Sequence, residues 1–436
     1  MSAAYTALPT VVVGRRRSSS IEGAIRWAGV LGVTVACGLL GTATAFAVPL
    51  NQRIPGLFGG LLNVSINPEV REGEPLHFAD QFRSLSADLA AARSQAPIPS
   101  ASGAFRFAWD NDLDTFVRST QSLGPSLAER AQTLGRHIAT LSVAYTHISF
   151  DTFEGRSLNQ LSFSQSALSQ ELKDSLGPTE QKYKDDLLRT QLNLGLSFDI
   201  LFFTAAYGIT DTLDVSMALS VNQAHMQATA VATIQNPDGS PGDSFFPHKT
   251  GGVLDGPGGR LCGTGTLQCA MDSFDASAFG TGDLFLRGKW HVADFTYADL
   301  AVAGVLTLPT GNADDFLGFH DPTFTPWLIA SKSFGRFSPH LNLGYAFRSG
   351  QDVSQAQWIA GADVRTTSWL TLAADFLGYH DDKRDGINDD VLQSAVGFKL
   401  NPFGQWVIAG NFQFPLNRDG LRANVIYTGQ IEYTFE

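Results

Sequence analysis

Charge is scarce in this chain. Only 17% of its 436 residues are Asp, Glu, Lys or Arg, against about 25% in soluble domains. Basic residues are the scarcer kind, 30 against 42 acidic ones for a net charge of −12. That excludes a nucleic-acid partner, because phosphate binding needs a basic surface. Long apolar runs are missing too: after residue 47 there is no stretch of 18 apolar residues, which excludes a helical membrane bundle. The 3 cysteines form no cluster with histidine, and the histidines lack a metal-ligand spacing such as H-E-x-x-H. The glycines around Gly304 and Gly311 precede no helix and so make no phosphate cradle. Neither a metal nor an organic cofactor is expected.

What is present begins with Arg15, Arg16, Arg17 and Arg26 ahead of an apolar run that ends in Ala45-Phe46-Ala47. Basic, apolar, then A-x-A is the layout of a cleaved secretory signal over residues 1–47. An exported chain with Cys262 and Cys269 in one glycine-rich stretch reads as carrying a small loop disulfide.

From residue 138 onward apolar residues alternate with polar or small ones. At the end of the chain Ala423, Val425, Tyr427, Gly429, Ile431, Tyr433 and Phe435 interleave with Arg422, Asn424, Thr428, Gln430, Glu432 and Thr434. Period two places the two sets on opposite faces of a strand. The segments run about 10 to 14 residues, close to the 9 to 11 that cross a bilayer at a tilt. Their polar faces also carry charge in mid-strand. With the apolar faces outward, Asp199, Asp214, Asp283, Arg287, Lys289, Asp299, Asn342, Asp363, Arg365, Asp375, Lys399, Arg422 and Glu432 line a polar lumen, the pattern of a transmembrane β-barrel.

Twelve segments are legible: 138–149, 190–207, 212–234, 280–292, 297–308, 323–334, 338–348, 354–365, 369–380, 389–399, 406–414 and 422–435. An even number closes an antiparallel barrel, and short connections alternate with long ones at 150–189, 235–279, 309–322 and 381–388. The expected fold is all-β: a closed antiparallel transmembrane barrel of about 12 strands over 138–436, preceded by a segment over 48–137. Residues 78–92 read as a short amphipathic helix. Phe105, Phe107 and Trp109 with Phe116 flank Asp110 to Asp112 and read as a hairpin, which is either two further wall strands, making 14, or a lumenal or periplasmic element. As a plug this segment would set Arg118, Glu129, Arg130 and Arg136 against Asp214, Asp299, Asp363 and Glu432, since buried charges persist only when paired.

Several motifs make the chain resemble a known family. Tyr207-Gly-Ile-Thr-Asp-Thr-Leu-Asp214, Gly282-Asp-Leu-Phe-Leu-Arg-Gly-Lys289, Leu308-Pro-Thr-Gly311 and Gly335-Arg-Phe-Ser-Pro-His-Leu-Asn-Leu-Gly-Tyr345 are similar to segments of the meta-pathway phenol-degradation family of outer-membrane transporters. Asp385-Gly-Ile-Asn-Asp-Asp-Val391, Asn401-Pro-Phe-Gly404 and Pro415-Leu-Asn-Arg-Asp-Gly-Leu-Arg422 extend the likeness over residues 105–436. The resemblance implies a non-enzymatic channel in the bacterial outer membrane for small hydrophobic or aromatic compounds. Its implied partners are outer-membrane lipid and lipopolysaccharide, the barrel-assembly machinery and the solutes themselves. A general porin and a structural or enzymatic barrel are the alternatives. For an enzyme, His147 and Ser149 are the candidate pair. The acidic stretch 381–390 resembles a calcium loop, but Lys383 stands where an oxygen ligand belongs.

A barrel of this kind is expected to fractionate with outer membranes and to run faster on unheated than on boiled gels, because lipid leaves its strands no other bonded state. Recovery as a soluble periplasmic protein would refute it.

Overall fold

The computed structural model describes residues 48–61, 64–66, 107–110, 115–118, 122–249, 252–254, 259–262, 268–350, 354–382 and 390–435. The expected signal, the helix at 78–92 and the core of the calcium-like stretch lie outside them. The chain forms a closed antiparallel barrel. Its wall strands are β1 (Ala139–Phe153), β2 (Leu187–Gly208), β3 (Leu213–Gln235), β4 (Gln268–Asp294), β5 (Asp299–Leu308), β6 (Thr323–Ser331), β7 (Phe337–Ala346), β8 (Gln355–Arg365), β9 (Leu370–Asp381), β10 (Asp390–Leu400), β11 (Trp406–Pro415) and β12 (Leu421–Phe435). Each pairs with its neighbour in sequence, and β12 closes on β1 from Phe435↔Ala139 to Leu421↔Phe153. The hairpin of Phe107–Asp110 and Thr115–Arg118 pairs only with itself, so the wall has 12 strands and not 14.

One end of the barrel carries the short turns 209–212, 295–298, 332–336, 366–369 and 401–405; the other carries the long connections. Of these, 154–186 and 236–267 are tied together by the buried Asp186. Its carboxylate accepts the Asp243 and Ser244 amides and the Ser244 hydroxyl.

Alternation sets the faces. On β7, Leu341 and Leu343 are exposed outward, as is Phe347 just past its end, while His340 and Asn342 are buried inside. Similar apolar residues make an outward belt around the short-turn half: Phe203 on β2, Leu328 on β6, Phe376 on β9, Ile408 on β11 and Ile431 on β12. No helix among the described residues is long and apolar enough to cross a membrane, which says nothing of crossing by strands.

Strands β2, β3 and β4 have 22, 23 and 27 residues, twice the length a bilayer crossing needs. Their far halves reverse the polarity. Leu192, Leu194, Leu196 and Phe198 of β2 and Met226 and Ile234 of β3 point inward and are buried. The outward positions there are Asn193, Ser197, Gln227 and Asp275. The inward face is covered by α1 (Leu50–Leu61), whose Leu50, Ile54, Leu57 and Leu61 recur at helical spacing and join the same apolar core. The Leu50 amide and the Asn51 side chain bond to Asp315 and Asp314 at 3.0 and 2.9 Å, placing acidic groups at the positive end of the helix.

Four expectations change here. Strand β4 begins at Gln268 and not at Gly280: its small alternating residues Ala270, Ala276 and Ala278 give a faint pattern but continue the β3 ladder up to Gln268↔Ile234. Asp199 does not line the lumen. The inward parity of β2 belongs to Phe198 and Ile200, and Asp199 lies outward, bonded to Tyr145 Oη at 2.5 Å and His147 Nδ1 at 2.8 Å. Ser149 lies outward as well and has no bond to His147 among the described residues. In β12 an irregularity between Ala423 and Ile426 shifts the phase, so Ala423 and Ile426 are buried while Asn424 is exposed.

Single cysteines should report that shift. Positions 424 and 427 are expected to react with a detergent-phase maleimide, and 423 and 426 to be protected. Unbroken alternation, with 423 and 427 reacting alike, would refute the irregularity.

Candidate functional site

Between Ser122 and Arg136 the chain has no regular secondary structure, yet nearly all of it is buried. An irregular segment inside a barrel must find partners for its peptide groups, and inward side chains of the wall supply them. Thr371 Oγ1 on β9 accepts the Leu123 amide at 3.1 Å, and Asp375 on β9 accepts the Leu127 amide at 3.3 Å. Asn342 on β7 holds a whole residue: its Oδ1 accepts the Glu129 amide at 2.7 Å and its Nδ2 donates to the Glu129 carbonyl at 3.1 Å. Ser331 on β6 accepts the Ala131 amide at 2.9 Å, and Asp214 on β3 accepts that of Leu134 at 2.9 Å. Lys289 Nζ on β4 donates to the Gln132 carbonyl at 2.8 Å and lies 3.7 Å from Asp214.

The charges meet differently from the expected pairing. Glu129 of the segment pairs with Arg287 of the wall, both largely buried. Arg130 turns back to the Ser122 carbonyl at 3.3 Å. Arg136 is exposed, 3.8 Å from Asp211 in the β2–β3 turn. Arg118 ends the hairpin, and its side chain lies outside the described residues. On the wall side Asp363 accepts the Ser122 hydroxyl. Asp299 binds Gln132 Nε2 at 2.6 Å and Lys332 Nζ at 2.7 Å. Asp375 also binds His340 Nε2 at 2.5 Å. The expectation treated the segment as a set of charges; with so few of them, its peptide groups are the greater demand.

The other inward residues fall at different heights. Lys399 is buried within electrostatic reach of Glu432, Asp363 and Asp375. Arg365 sits at the short-turn rim on the same face as Asp363. Arg422 is at the opposite end, donating to the Leu392 carbonyl. Asp283 on β4 anchors the β5–β6 connection by accepting the Gly311 amide at 3.1 Å and the Phe319 amide at 2.9 Å. Cys262 and Cys269 are joined in a disulfide beside the start of β4.

A floor at 122–136 and a roof at 309–322 bound a chamber of about 190 Å³. Leu127, Glu129 and Arg287 lie at its floor, Phe319 at its roof, and Phe202, Phe285, Trp327, Ile329 and Leu377 along its wall. Gly344 faces Trp327 across the β6–β7 pair, and a Cβ there would fall 2.7 Å from the indole ring, so the glycine makes room for it. None of the apolar chamber wall was singled out in the sequence. Its inward aromatics break the polar-in pattern, and that break was the available signal.

No protein-family model matches the chain, and no curated protein does. Its fold is similar to those of solved outer-membrane proteins at low identity. An outer membrane channel from Pseudomonas putida F1 is 12% identical with a TM-score of 0.42, over 70% of this chain and 98% of that one. The toluene transporter TbuX of Ralstonia pickettii is 11% identical with a TM-score of 0.34, over 69% and 90%. The NanC porin is 7% identical with a TM-score of 0.32, over 68% and 99%. Likeness at this level assigns no cargo.

Replacing Asn342 with leucine is expected to remove both of its hydrogen bonds to the Glu129 peptide, at about 1 kcal/mol or more each. Trypsin should then cut after the buried Arg130 at least tenfold faster than in the parent. Unchanged cleavage would mean that the wall does not hold the segment.

Proposed function

We propose that this protein is a bacterial outer-membrane channel through which small, mostly apolar molecules diffuse, with residues 122–136 as its gate. The observation that carries the reading is a partly open chamber with aromatic and aliphatic residues on its wall, between the 122–136 and 309–322 segments, inside a barrel with an outward apolar belt. A closed barrel bonds all its wall strands to one another, as lipid requires, and belt and lumen alternate as in membrane barrels. Twelve strands enclose more than the side-chain-filled eight and less than the open sixteen of porins. A short segment therefore suffices to block the lumen. The resemblance to the phenol-degradation family agrees with an aromatic or hydrophobic cargo. A passive pore of this kind acts without chemistry and has no built-in direction.

Single-channel recording in planar bilayers tests the gate. The full chain should conduct poorly, and removal of residues 48–136 behind an intact signal should raise conductance several-fold. Asn342→Leu, which keeps the whole chain, should show frequent brief openings. Equal conductance in all three, with assembly verified by unheated gel mobility, would defeat the gate; failure of small apolar solutes to cross vesicles containing the deletion variant would defeat the channel.

A further inference from the structure

His340 on β7 is a buried titratable group that the passage of solute does not use. It faces Asp363 on β8, Nδ1 toward Oδ1, at 4.0 Å, and the two side chains are 1% and 0% exposed. That is too far for a hydrogen bond, and neither atom has another partner among the described residues. More than nine in ten buried polar groups in proteins are bonded. Two orphans aimed at each other across one gap therefore need a reason.

The other side of the imidazole supplies it. His340 Nε2 lies 2.5 Å from Asp375 Oδ1 on β9, and an ionised carboxylate only accepts, so Nε2 carries the proton of this bond. The bond crosses a whole strand: Gly361 of β8 stands in register between His340 and Asp375, and a Cβ there would lie 2.4 Å from that same Oδ1. A neutral ring has no second proton, so its Nδ1 turns a lone pair toward Asp363 Oδ1 and the two acceptors stay apart. One added proton reverses this. Nδ1–H then donates to Oδ1, and an imidazolium lies between two carboxylates in charge-assisted bonds. Imidazole is a stronger base than a carboxylate and keeps the proton.

The surrounding charge leaves room for it. Lys399 on β10 lies within electrostatic reach of Asp363, Asp375, Arg130 of the floor and Glu432 on β12, and β6 offers only Ser331 opposite His340. Three acids against two bases lack one positive charge. Both carboxylates beside the ring also hold the floor with their second oxygens: Asp363 Oδ2 accepts the Ser122 hydroxyl, and Asp375 Oδ2 accepts the Leu127 amide at 3.3 Å.

We infer that the gap between His340 Nδ1 and Asp363 Oδ1 is a proton-binding site that locks the gate. The bound proton fixes the two carboxylates on which Ser122 and Leu127 hang. Once the floor leaves, water screens the pairs and the proton is released more readily. The closed state thus binds one proton more than the open one, so closure is favoured as pH falls and lost as pH rises. His340 acts through the carboxylates and is a positioning residue. This rests on the gate reading and adds its regulation.

Nitrogen NMR of the full chain in detergent micelles, labelled at histidine, reads the proton, with His340 assigned by the signal missing from His340→Gln. Both of its ring nitrogens should be protonated at about pH 5.5 and only one at about pH 8.5, the span of histidine titration. A ring that keeps one protonation state throughout overturns the inference whether or not the channel conducts. Single-channel recording over the same span reads the lock. Open probability of the parent should rise roughly tenfold toward high pH, the worth of one charge-assisted bond. His340→Gln keeps a donor for Asp375 without titrating and should show no pH dependence; Asp363→Asn should show none either and decides alone if the glutamine variant does not assemble. A parent indifferent to pH, or a response that survives in an assembled variant, overturns the lock. The variant lacking residues 48–136 separates the two readings. A pH response there equal to the parent's places the proton's effect on the wall and refutes the lock, whereas conductance no higher than the parent's at high pH refutes the gate itself.

Discussion

A peptide group sealed inside a closed barrel must be bonded, and that requirement organises the interior of this protein. The wall bonds its own backbone, so its inward polar side chains are available for other chain. They hold two irregular segments: the floor at 122–136, through Asp214, Ser331, Asn342, Thr371 and Asp375, and the roof, through Asp283. Each such bond is worth about 1 kcal/mol net. A floor held by many of them stays in place against single losses and leaves only when several are lost together, which suits a gate that is shut most of the time.

The second constraint is length. A strand in lipid must be apolar outside, and a strand in water must be apolar inside. On the channel reading strands β2, β3 and β4 meet both settings, and their side-chain polarity changes over along each strand. On β2 Phe203 and Tyr207 face outward near the short turns, and the change is made at Asp199, which gathers Tyr145 and His147 around it. Beyond it the inward leucines and α1 make an ordinary buried core. The channel proposed here thus carries, beyond its roof, a piece of protein that folds by soluble rules.

These two constraints explain what could be read from residue order. Strand number and the alternation of short and long connections were legible, because period two and turn chemistry are local. So was the outward set on β7, where the pattern runs unbroken. The phase shift at Ala423 was not, since an irregularity leaves composition unchanged and alters only parity. Asp199 was misplaced because a carboxylate in mid-strand suggests a lumen only while the strand is in lipid. A plug was one of the two readings of the segment before the first strand, and charge pairs were the contacts expected of it, although most of what holds residues 122–136 is backbone, to which side-chain identity gives no clue.

The wall, in contrast, does record the floor. Gly208 on β2 and Gly397 on β10 face inward, where a polar barrel would ordinarily carry a side chain. A Cβ at Gly208 would lie 1.8 Å from the Gly135 carbonyl oxygen, and one at Gly397 would lie 2.5 Å from Ser126 Oγ. No rotamer relieves an overlap with backbone, so at Gly208 any larger residue displaces the segment or the strand. Inward glycine on a strand normally weakens it for no gain in packing; here it is the imprint of a second chain segment pressed against the wall. Bare inward positions beside polar ones able to bond peptide groups are therefore a better sign of an occupied lumen than charges on the segment that occupies it.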